Sequence, residues 1–287
     1  MRQIIELIYL KLRCILYLHK ENYEKGGVIM SIFHKAFWHS RSIAENAETK
    51  EENQEMIELK QTGFNEMAGV KVSNPNEPHM ACVLLLDTSS SMSGEPIDSL
   101  NKAIKDFKEQ TSLDEFAQKR VDIAIIEFND KARVVQEFTP LPQLQPVCLL
   151  AVGCTAMGAG INLAIDKVKE RNNFYASMGT PCFKPWIFMI TDGAPTDDIS
   201  IARQRIIEEE SKGQFGKLKF WAVGVPGYSE ETLKSLTKRC IALNEAKFDG
   251  IFNWLSESMV TISVSRVDED PKLPNLSSDA QVIPSNW

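Results

Sequence analysis

A short polar stretch in this sequence directly follows a continuous apolar run. The run MACVLLLD spans residues 80–87 and ends in Asp87, and hydroxyl side chains occupy the next four positions, 88–91. Ser89 and Ser91 lie two positions apart, so their side chains point the same way in an extended turn, with Asp87 behind them. Oxygen ligands with few formal charges suit Mg²⁺ or Mn²⁺ held together with several waters. The stretch therefore predicts a site for a divalent cation.

Two later segments carry the same kinds of oxygen ligand. The small-residue loop GCTAMGAG contains Thr155 as its only hydroxyl, and the segment TDGAPTDD places Asp192 at the end of another apolar run. Ligands of open α/β sheets bind in the crevice beyond the carboxyl ends of the strands, so we expect both residues to face the first stretch. Asp197 and Asp198 are open to two interpretations, as further ligands or as caps of a helix that begins near Ile199. We favour the caps.

The elements that must position these residues alternate along the chain. Helices are predicted where apolar residues recur every three or four positions, as at Ile97, Leu100, Ile104 and Phe107. The second and third strands are separated only by the turn NDK, so they form a hairpin and the third strand lies at an edge. This order predicts an α/β fold with a Rossmann-like, doubly wound, mostly parallel sheet and one antiparallel edge strand. The predicted strands are 80–87, 120–128, 132–138, 185–192, 217–225 and 241–243, and further helices are 161–170, 199–210, 229–239 and 251–262.

We predict three parts in the chain. Residues 1–66 form an N-terminal extension or linker, residues 67–266 the folded domain, and residues 267–287 a mobile C-terminal tail rich in Pro, Ser and Asp. Residues 1–29 are open to two interpretations. They form a genuine helix, or they are a translated upstream segment, because EKGGVIM back-translates to the purine-rich run of a bacterial ribosome-binding site before a start at Met30.

Composition argues against several classes of function. The net charge of −7 and the isoelectric point near 5.3 leave no basic excess for non-specific nucleic-acid binding. The six cysteines are scattered and form no C-x-x-C pair, which is typical of reduced thiols, so we expect a cytoplasmic protein. No apolar run reaches the roughly 18–20 residues of a membrane-spanning helix. The charge-interrupted segment Ile4–Leu18 leaves open an amphipathic helix on a membrane surface.

The candidate ligands together resemble the metal-ion-dependent adhesion site of von Willebrand factor type A (VWA) domains. The resemblance rests on D-x-S-x-S at Asp87, Ser89 and Ser91, on Thr155 in its Gly-rich loop, and on Asp192 in TDG. It implies that the three hydroxyls contact Mg²⁺ directly or alternate with water, and that both aspartates act largely through water. It also implies a partner protein that supplies an Asp or Glu carboxylate to complete the octahedron.

Two further stretches narrow the resemblance. GEPI after the first motif and PTDD after TDG are similar to the bacterial tellurite-resistance, TerY-like (YegL-like) branch, which implies a stress-response setting and partners such as kinases or phosphatases. The sequence departs from the family at one position. Gly153-Cys154-Thr155 stands where Gly-Gly-Thr or Gly-Ser-Thr is commoner, and we interpret Cys154 as a small buried side chain.

Enzymatic alternatives have less support. A phosphatase-type nucleophile at Asp87 requires a second acid two residues later, where Ser89 stands. A serine hydrolase requires a base near its nucleophile. All four histidines precede the first core strand, so we expect none in the body of the fold. We therefore predict a Mg²⁺-dependent protein-binding module without catalytic activity. A metal-dependent hydrolase and a structural domain with a vestigial metal site remain the alternatives.

Overall fold

The computed structural model describes residues 74–212 and 217–284, which contain one seven-stranded sheet and its helices. The extension predicted over 1–66, including residues 1–29, lies outside the described residues. The strands are β1 (Met80–Asp87), β2 (Val121–Phe128), β3 (Ala132–Pro140), β4 (Trp186–Thr191), β5 (Lys219–Gly224), β6 (Cys240–Leu243) and β7 (Ala280–Val282). The α-helices are α1 (Glu95–Thr111), α2 (Glu115–Arg120), α3 (Met157–Ser177), α4 (Ser200–Ser211), α5 (Glu230–Leu236) and α6 (Asp249–Ser263). Ser90–Met92 and Leu141–Gln143 form short 3₁₀ turns.

The sheet has the order β3-β2-β1-β4-β5-β6-β7, and its strands are parallel from β2 to β6. The predicted hairpin is present, with β3 antiparallel to β2 at one edge. The chain builds the sheet outward from β1 in one direction and from β4 in the other. The boundary between β1 and β4 is therefore the topological switch point, where such sheets bind ligands. The predicted fold class is confirmed.

Helices cover both faces of the sheet, which explains the continuous apolar runs of the central strands. Leu84 and Leu86 of β1 face the cluster formed with α1 and α6, whereas Val83 and Leu85 face the cluster formed with α3, α4 and α5. Successive side chains of a strand point to opposite faces, so a strand covered on both sides needs apolar residues at every position. Trp186 of β4 is fully buried, and Trp221 of β5 is half-buried.

The C-terminal segment differs from the mobile tail expected from its composition. Its last described residues form β7, antiparallel to β6, which adds a second antiparallel edge that sequence analysis missed. Before β7, Leu273 and Leu276 pack on the core, and the Trp254 indole donates a hydrogen bond to the Pro274 carbonyl. A few apolar side chains spaced among Pro, Ser and Asp are thus sufficient to anchor the segment.

A buried ionic cluster joins the starts of β1 and β2 to α3. The Arg171 guanidinium donates to Asp122 Oδ2 at 2.9 Å, the Tyr175 hydroxyl donates to the same oxygen, and His79 Nδ1 lies 3.3 Å from it. All four side chains are almost completely buried. Burial opposes ionisation of Asp122, but the hydrogen bond from His79 and the charge of Arg171 outweigh it and hold the pKa of that carboxyl below its ordinary value.

This cluster yields a stability prediction. Asp122→Asn should lower the free energy of unfolding by about 3–5 kcal/mol, because it leaves the buried Arg171 charge uncompensated. The pKa of Asp122 is lower in the folded state than in the unfolded state. The ionised carboxyl therefore contributes to the free energy of unfolding above the unfolded-state pKa of about 3.9, and this contribution is lost as the pH falls through the folded-state pKa. Urea unfolding at neutral pH and in acid measures both effects.

The matched control for this substitution is Asp106→Asn. Asp106 pairs with Lys102 on the exposed surface of α1, so its loss should leave the unfolding midpoint unchanged within error. Equal midpoints for the Asp122 and Asp106 variants would contradict a stabilising role of the buried cluster.

Candidate metal centre

The site lies where β1 and β4 end, and their register positions its first carboxylate. Leu86 pairs with Ile190, so Asp87 and Thr191 are neighbours at the last rung. The Thr191 hydroxyl donates to Asp87 Oδ2 at 2.5 Å, and the Ser89 N–H donates to Asp87 Oδ1 at 2.8 Å. Asp87 is thereby held from both sides at the tip of a buried strand.

The hydroxyls of the first stretch continue from this carboxylate toward the second acid. Ser89 Oγ lies 2.9 Å from Ser91 Oγ, and Ser91 Oγ donates to Asp192 Oδ1 at 2.7 Å. Asp87, Ser89 and Asp192 are buried, whereas Ser91 is exposed. Four of the five predicted ligands thus form one hydrogen-bonded chain that opens to solvent at Ser91.

Thr155 reaches the same place from a third loop. A Cβ atom added to Gly193 would lie 3.3 Å from Thr155 Oγ1 and 3.8 Å from Asp87 Oδ2, so both oxygens border the glycine. Thr196 holds Thr155 in place through two hydrogen bonds. The Thr155 N–H donates to Thr196 Oγ1, and the Thr196 N–H donates to the Thr155 carbonyl. The Thr155 hydroxyl makes no hydrogen bond within the described part of the chain, which leaves its oxygen available to a ligand.

Asp130 shapes the loop before Thr155, and sequence analysis did not single it out. Gly153 has φ +80, and an added Cβ would lie 2.5 Å from Asp130 Oδ2. The Cys154 N–H donates to Asp130 Oδ1 at 2.8 Å, and the Ser90 N–H donates to the Gly153 carbonyl at 3.0 Å. Only glycine fits this position, and its carbonyl connects the Thr155 loop to the serine loop.

Cys154 itself is exposed, which corrects its interpretation as a buried filler. Its backbone N–H faces Asp130 while its side chain lies at the surface. The five described cysteines are all free thiols. His79 also differs from expectation, because it is buried in the body of the fold, in the ionic cluster at the opposite end of β1.

The electrostatics of the site favour a bound cation. Burial raises the pKa of the Asp87 carboxyl, and the charge of Asp192 adds to this effect, while hydrogen bonds from Thr191 and Ser89 oppose it. Neither carboxylate forms an ion pair with a basic side chain of the described residues. Two neighbouring carboxylates among hydroxyls are a donor set that fits a hard divalent ion.

This donor set differs from that of a carboxylate- or imidazole-rich metal site. Residues 74–212 and 217–284 contain no group of three His, Cys, Asp or Glu side chains arranged to hold a metal. A cation at this edge of the sheet would therefore have mostly hydroxyl and water ligands.

Asp197 and Asp198 both cap helices, but not the same one. Asp198 accepts hydrogen bonds from the N–H and the hydroxyl of Ser200 at the start of α4, as predicted. Asp197 instead accepts from the Gly158 and Ala159 N–H groups, both at 2.9 Å, in the first turn of α3. Asp197 therefore stabilises the helix that begins two residues after Thr155, and it connects the second and third loops of the site.

The role of Asp197 can be tested against Asp198. Asp197→Ala should lower the free energy of unfolding by about 1 kcal/mol, as loss of a helix cap does. It should also weaken divalent-cation binding, because the start of α3 positions Thr155. Asp198→Ala removes a cap from α4 only and should leave cation affinity unchanged. Equal cation affinities in the two variants would contradict this role, and isothermal titration with Mn²⁺ provides the measurement.

The fold and this site together define a class of protein. Residues 82–251 match the family model for the von Willebrand factor type A domain, which is more than half of the chain. The protein therefore belongs to the von Willebrand factor type A domain family. No curated protein matches the chain.

Several solved structures are similar to this chain. The pilus adhesin SpaC from Lactobacillus rhamnosus GG, in its open conformation, has 11% identity and a TM-score of 0.52, over 65% of this chain and 30% of that one. Proximal thread matrix protein 1 from the mussel byssus, with a zinc-occupied MIDAS motif, has 16% identity and a TM-score of 0.46, over 65% of this chain and 46% of that one. The ArnB paralog VWA2 from Sulfolobus acidocaldarius has 17% identity and a TM-score of 0.44, over 64% of this chain and 46% of that one. This chain spans less than half the length of each, and the likeness concerns the fold alone.

Proposed function

We propose that this protein is a Mg²⁺-dependent protein-binding module whose metal site is formed by Asp87, Ser89, Ser91, Thr155 and Asp192. The observation that carries the proposal is the convergence of these five residues at the switch point of the sheet, where neither carboxylate has a basic partner among residues 74–212 and 217–284. In this arrangement Ser89, Ser91 and Thr155 supply the direct oxygens. Asp87 and Asp192 act through water and through the hydrogen bonds that orient the hydroxyls.

The low charge of the direct ligands suggests how a partner binds. Three neutral hydroxyls leave most of the charge of the ion uncompensated, so an Asp or Glu carboxylate of a partner protein displaces a water and becomes a ligand. Oxygen donors without imidazole or thiolate favour Mg²⁺, with Mn²⁺ as its closest substitute. The exposed Ser91 lies on the side from which the partner approaches.

Apolar side chains beside the serine loop provide a second contact for the partner. Leu150 is 72% exposed and Val152 is 57% exposed. The Val152 N–H donates to the Thr88 carbonyl at 2.8 Å, so this segment lies directly against the metal loop. We infer that the partner presents its carboxylate next to an apolar side chain.

The proposed setting is a tellurite- or stress-response system of a bacterial cytoplasm, with kinases or phosphatases among the partners. This part of the proposal rests on the GEPI and PTDD stretches of the sequence. No described helix has the length and apolar character needed to cross a membrane. No catalytic role is proposed, because the one histidine of the described residues, His79, lies in the ionic cluster at the other end of β1.

Metal binding is tested by thermal unfolding with increasing Mg²⁺. A ligand that binds only the folded state stabilises it, by about 2.7 kcal/mol at a concentration one hundred times the dissociation constant. Asp87→Ala and Ser89→Ala should abolish the rise in melting temperature. Ser90→Ala is the matched control, because the exposed Ser90 side chain lies in the same loop outside the ligand set. The same rise in the Asp87 and Ser90 variants would contradict the assignment.

Partner binding is tested by capture from lysate with Mg²⁺, with EDTA and with variants. EDTA should release the partner. Asp192→Ala should lower the affinity for the partner about 10–100-fold, as loss of a group that holds a metal ligand in place does. Thr155→Ala should lower this affinity at least as much. Leu150→Ser should reduce capture while the Mg²⁺-dependent rise in melting temperature is retained. A partner captured equally under all conditions would mean that another face binds it.

A further inference from the structure

The loops that follow the carboxyl ends of the parallel strands are rich in carboxylates. These loops span residues 88–94, 129–131, 192–199, 225–229 and 244–248. Their basic residues are Lys131 and Lys247 alone. The metal end of the sheet is therefore more acidic than the chain as a whole, in which 32 basic residues stand against 39 acidic ones. Besides Asp192 of the candidate site, the acidic residues of the loops are Asp130, Asp197, Asp198 and Glu245.

Three of these carboxylates have no cation that balances their charge. Asp130, Asp197 and Asp198 accept hydrogen bonds from backbone N–H groups. None of the three forms an ion pair within residues 74–212 and 217–284. Their charges are therefore available to a binding partner.

The cations at this end of the sheet are few. Lys131 and Arg203, which lies in the first turn of α4, are exposed and form no ion pair with another described residue. Lys247 pairs with Glu245 at 2.5 Å. The hydrogen bond to Glu245 raises the pKa of Lys247, and the charge of Glu95 at the start of α1 adds to this effect, so one ammonium faces two carboxylates. Acidic side chains thus outnumber basic ones around the candidate site.

The unpaired carboxylates lie on the loops that hold the candidate metal site together. Asp130 contacts Gly153 and Cys154, the two residues that precede Thr155. Asp197 caps the helix that begins two residues after Thr155. A partner that reaches Thr155 therefore passes these negative charges.

Thr155 is independent evidence that this surface takes a ligand. Its side chain is only 6% exposed, yet its hydroxyl makes no hydrogen bond within the described part of the chain. The hydroxyl borders Gly193 together with Asp87 Oδ2, so it is directed into the site. A buried hydroxyl without a partner is unfavourable unless a ligand satisfies it.

The charges at this end limit which carboxylate can bind. When Mg²⁺ is present, Asp87 and Asp192 together balance the charge of the ion, and the surrounding surface stays negative. A carboxylate that arrives from a partner adds one more negative charge. Its approach is favourable when cations accompany it, because complementary charges at the edge of an interface speed association and select the partner.

We propose that the partner presents its Asp or Glu ligand within a basic segment, with Lys or Arg on both sides of the acid. This inference rests on the proposed function and adds the charge of the partner to it. In an extended segment, side chains two positions from the acid lie about 7 Å along the chain. That distance is within the screening length of about 8 Å at physiological ionic strength, so these cations act on the surrounding acids.

The test is isothermal titration of the full chain with blocked synthetic peptides at saturating Mg²⁺. The basic peptide is Ala-Lys-Lys-Leu-Asp-Lys-Lys-Ala, and glutamines replace all four lysines in the neutral peptide. The basic peptide should bind about tenfold more tightly, and this advantage should shrink as NaCl is raised. A third peptide, with Asn in place of Asp in the basic sequence, should bind more weakly than the basic peptide because it lacks the metal ligand.

Two double variants show whether the acids around the site cause the preference. Glu95→Gln with Asp198→Asn should reduce the advantage of the basic peptide and retain the rise in melting temperature with Mg²⁺. The matched control is Glu109→Gln with Glu269→Gln, which changes the net charge equally. Both control residues are exposed, near the end of α1 and beyond α6, away from the metal end of the sheet. The control should keep the full preference.

The outcomes separate this inference from the proposed function. Equal affinities for the basic and neutral peptides, together with a normal rise in melting temperature with Mg²⁺, would overturn the basic partner and leave the metal site standing. A preference that is unchanged in the Glu95 and Asp198 double variant would also overturn it. The absence of any rise in melting temperature with Mg²⁺ would contradict the proposed function itself.

Discussion

The hydrogen-bonded Asp87 carboxylate, buried at the tip of β1, is the constraint on which the rest of this structure depends. A buried charge is unfavourable unless it is hydrogen-bonded and compensated. Thr191 and the Ser89 N–H supply the hydrogen bonds. The bond from Thr191 forms only because β1 and β4 are paired in the observed register. A divalent cation would supply the compensation. The same residue thus connects the pairing of the central strands to the proposed function.

The three loops beyond the strand ends behave as one unit, because each is hydrogen-bonded to another. Ser90 binds the carbonyl of Gly153, and Thr155 exchanges hydrogen bonds with Thr196. Asp197 then closes the connection by capping α3. A site assembled in this way holds its hydroxyls in place before any ion binds, which lowers the entropy lost on binding.

Sequence patterns predicted the parts of the fold that have strong local signals. The apolar runs of β1 and β4 predicted the bounds of both strands to within a residue, and the helix predicted from Ser229 begins there, with Ser229 as its cap. The five candidate ligands could be singled out in the sequence because each lies where a strand ends or just before a helix begins. The six-residue α2 and the three-residue β7 were missed, since elements of that length have too few positions to show a period.

Interactions between distant residues could not be predicted. Asp197 caps a helix that begins 40 positions earlier in the chain, whereas its local sequence suggested the helix that follows. The partners of Asp122 likewise come from a strand start and from α3, and nothing in VDIAIIEF marks the aspartate as the acceptor of a buried arginine. Such contacts depend on how elements pack together, which periodicity does not determine.

The carboxylates of the candidate site lie where β1 and β4 end, and the buried Asp122–Arg171 pair lies at the opposite end of the sheet. The central claim concerns the first of these ends. An anomalous difference map from crystals soaked in Mn²⁺ tests it most directly. The proposed site predicts one strong peak within coordination distance, about 2.1 Å for an ion of this type, of the hydroxyl oxygens of Ser89 and Ser91. A peak at another position, or none at saturating Mn²⁺, would contradict it.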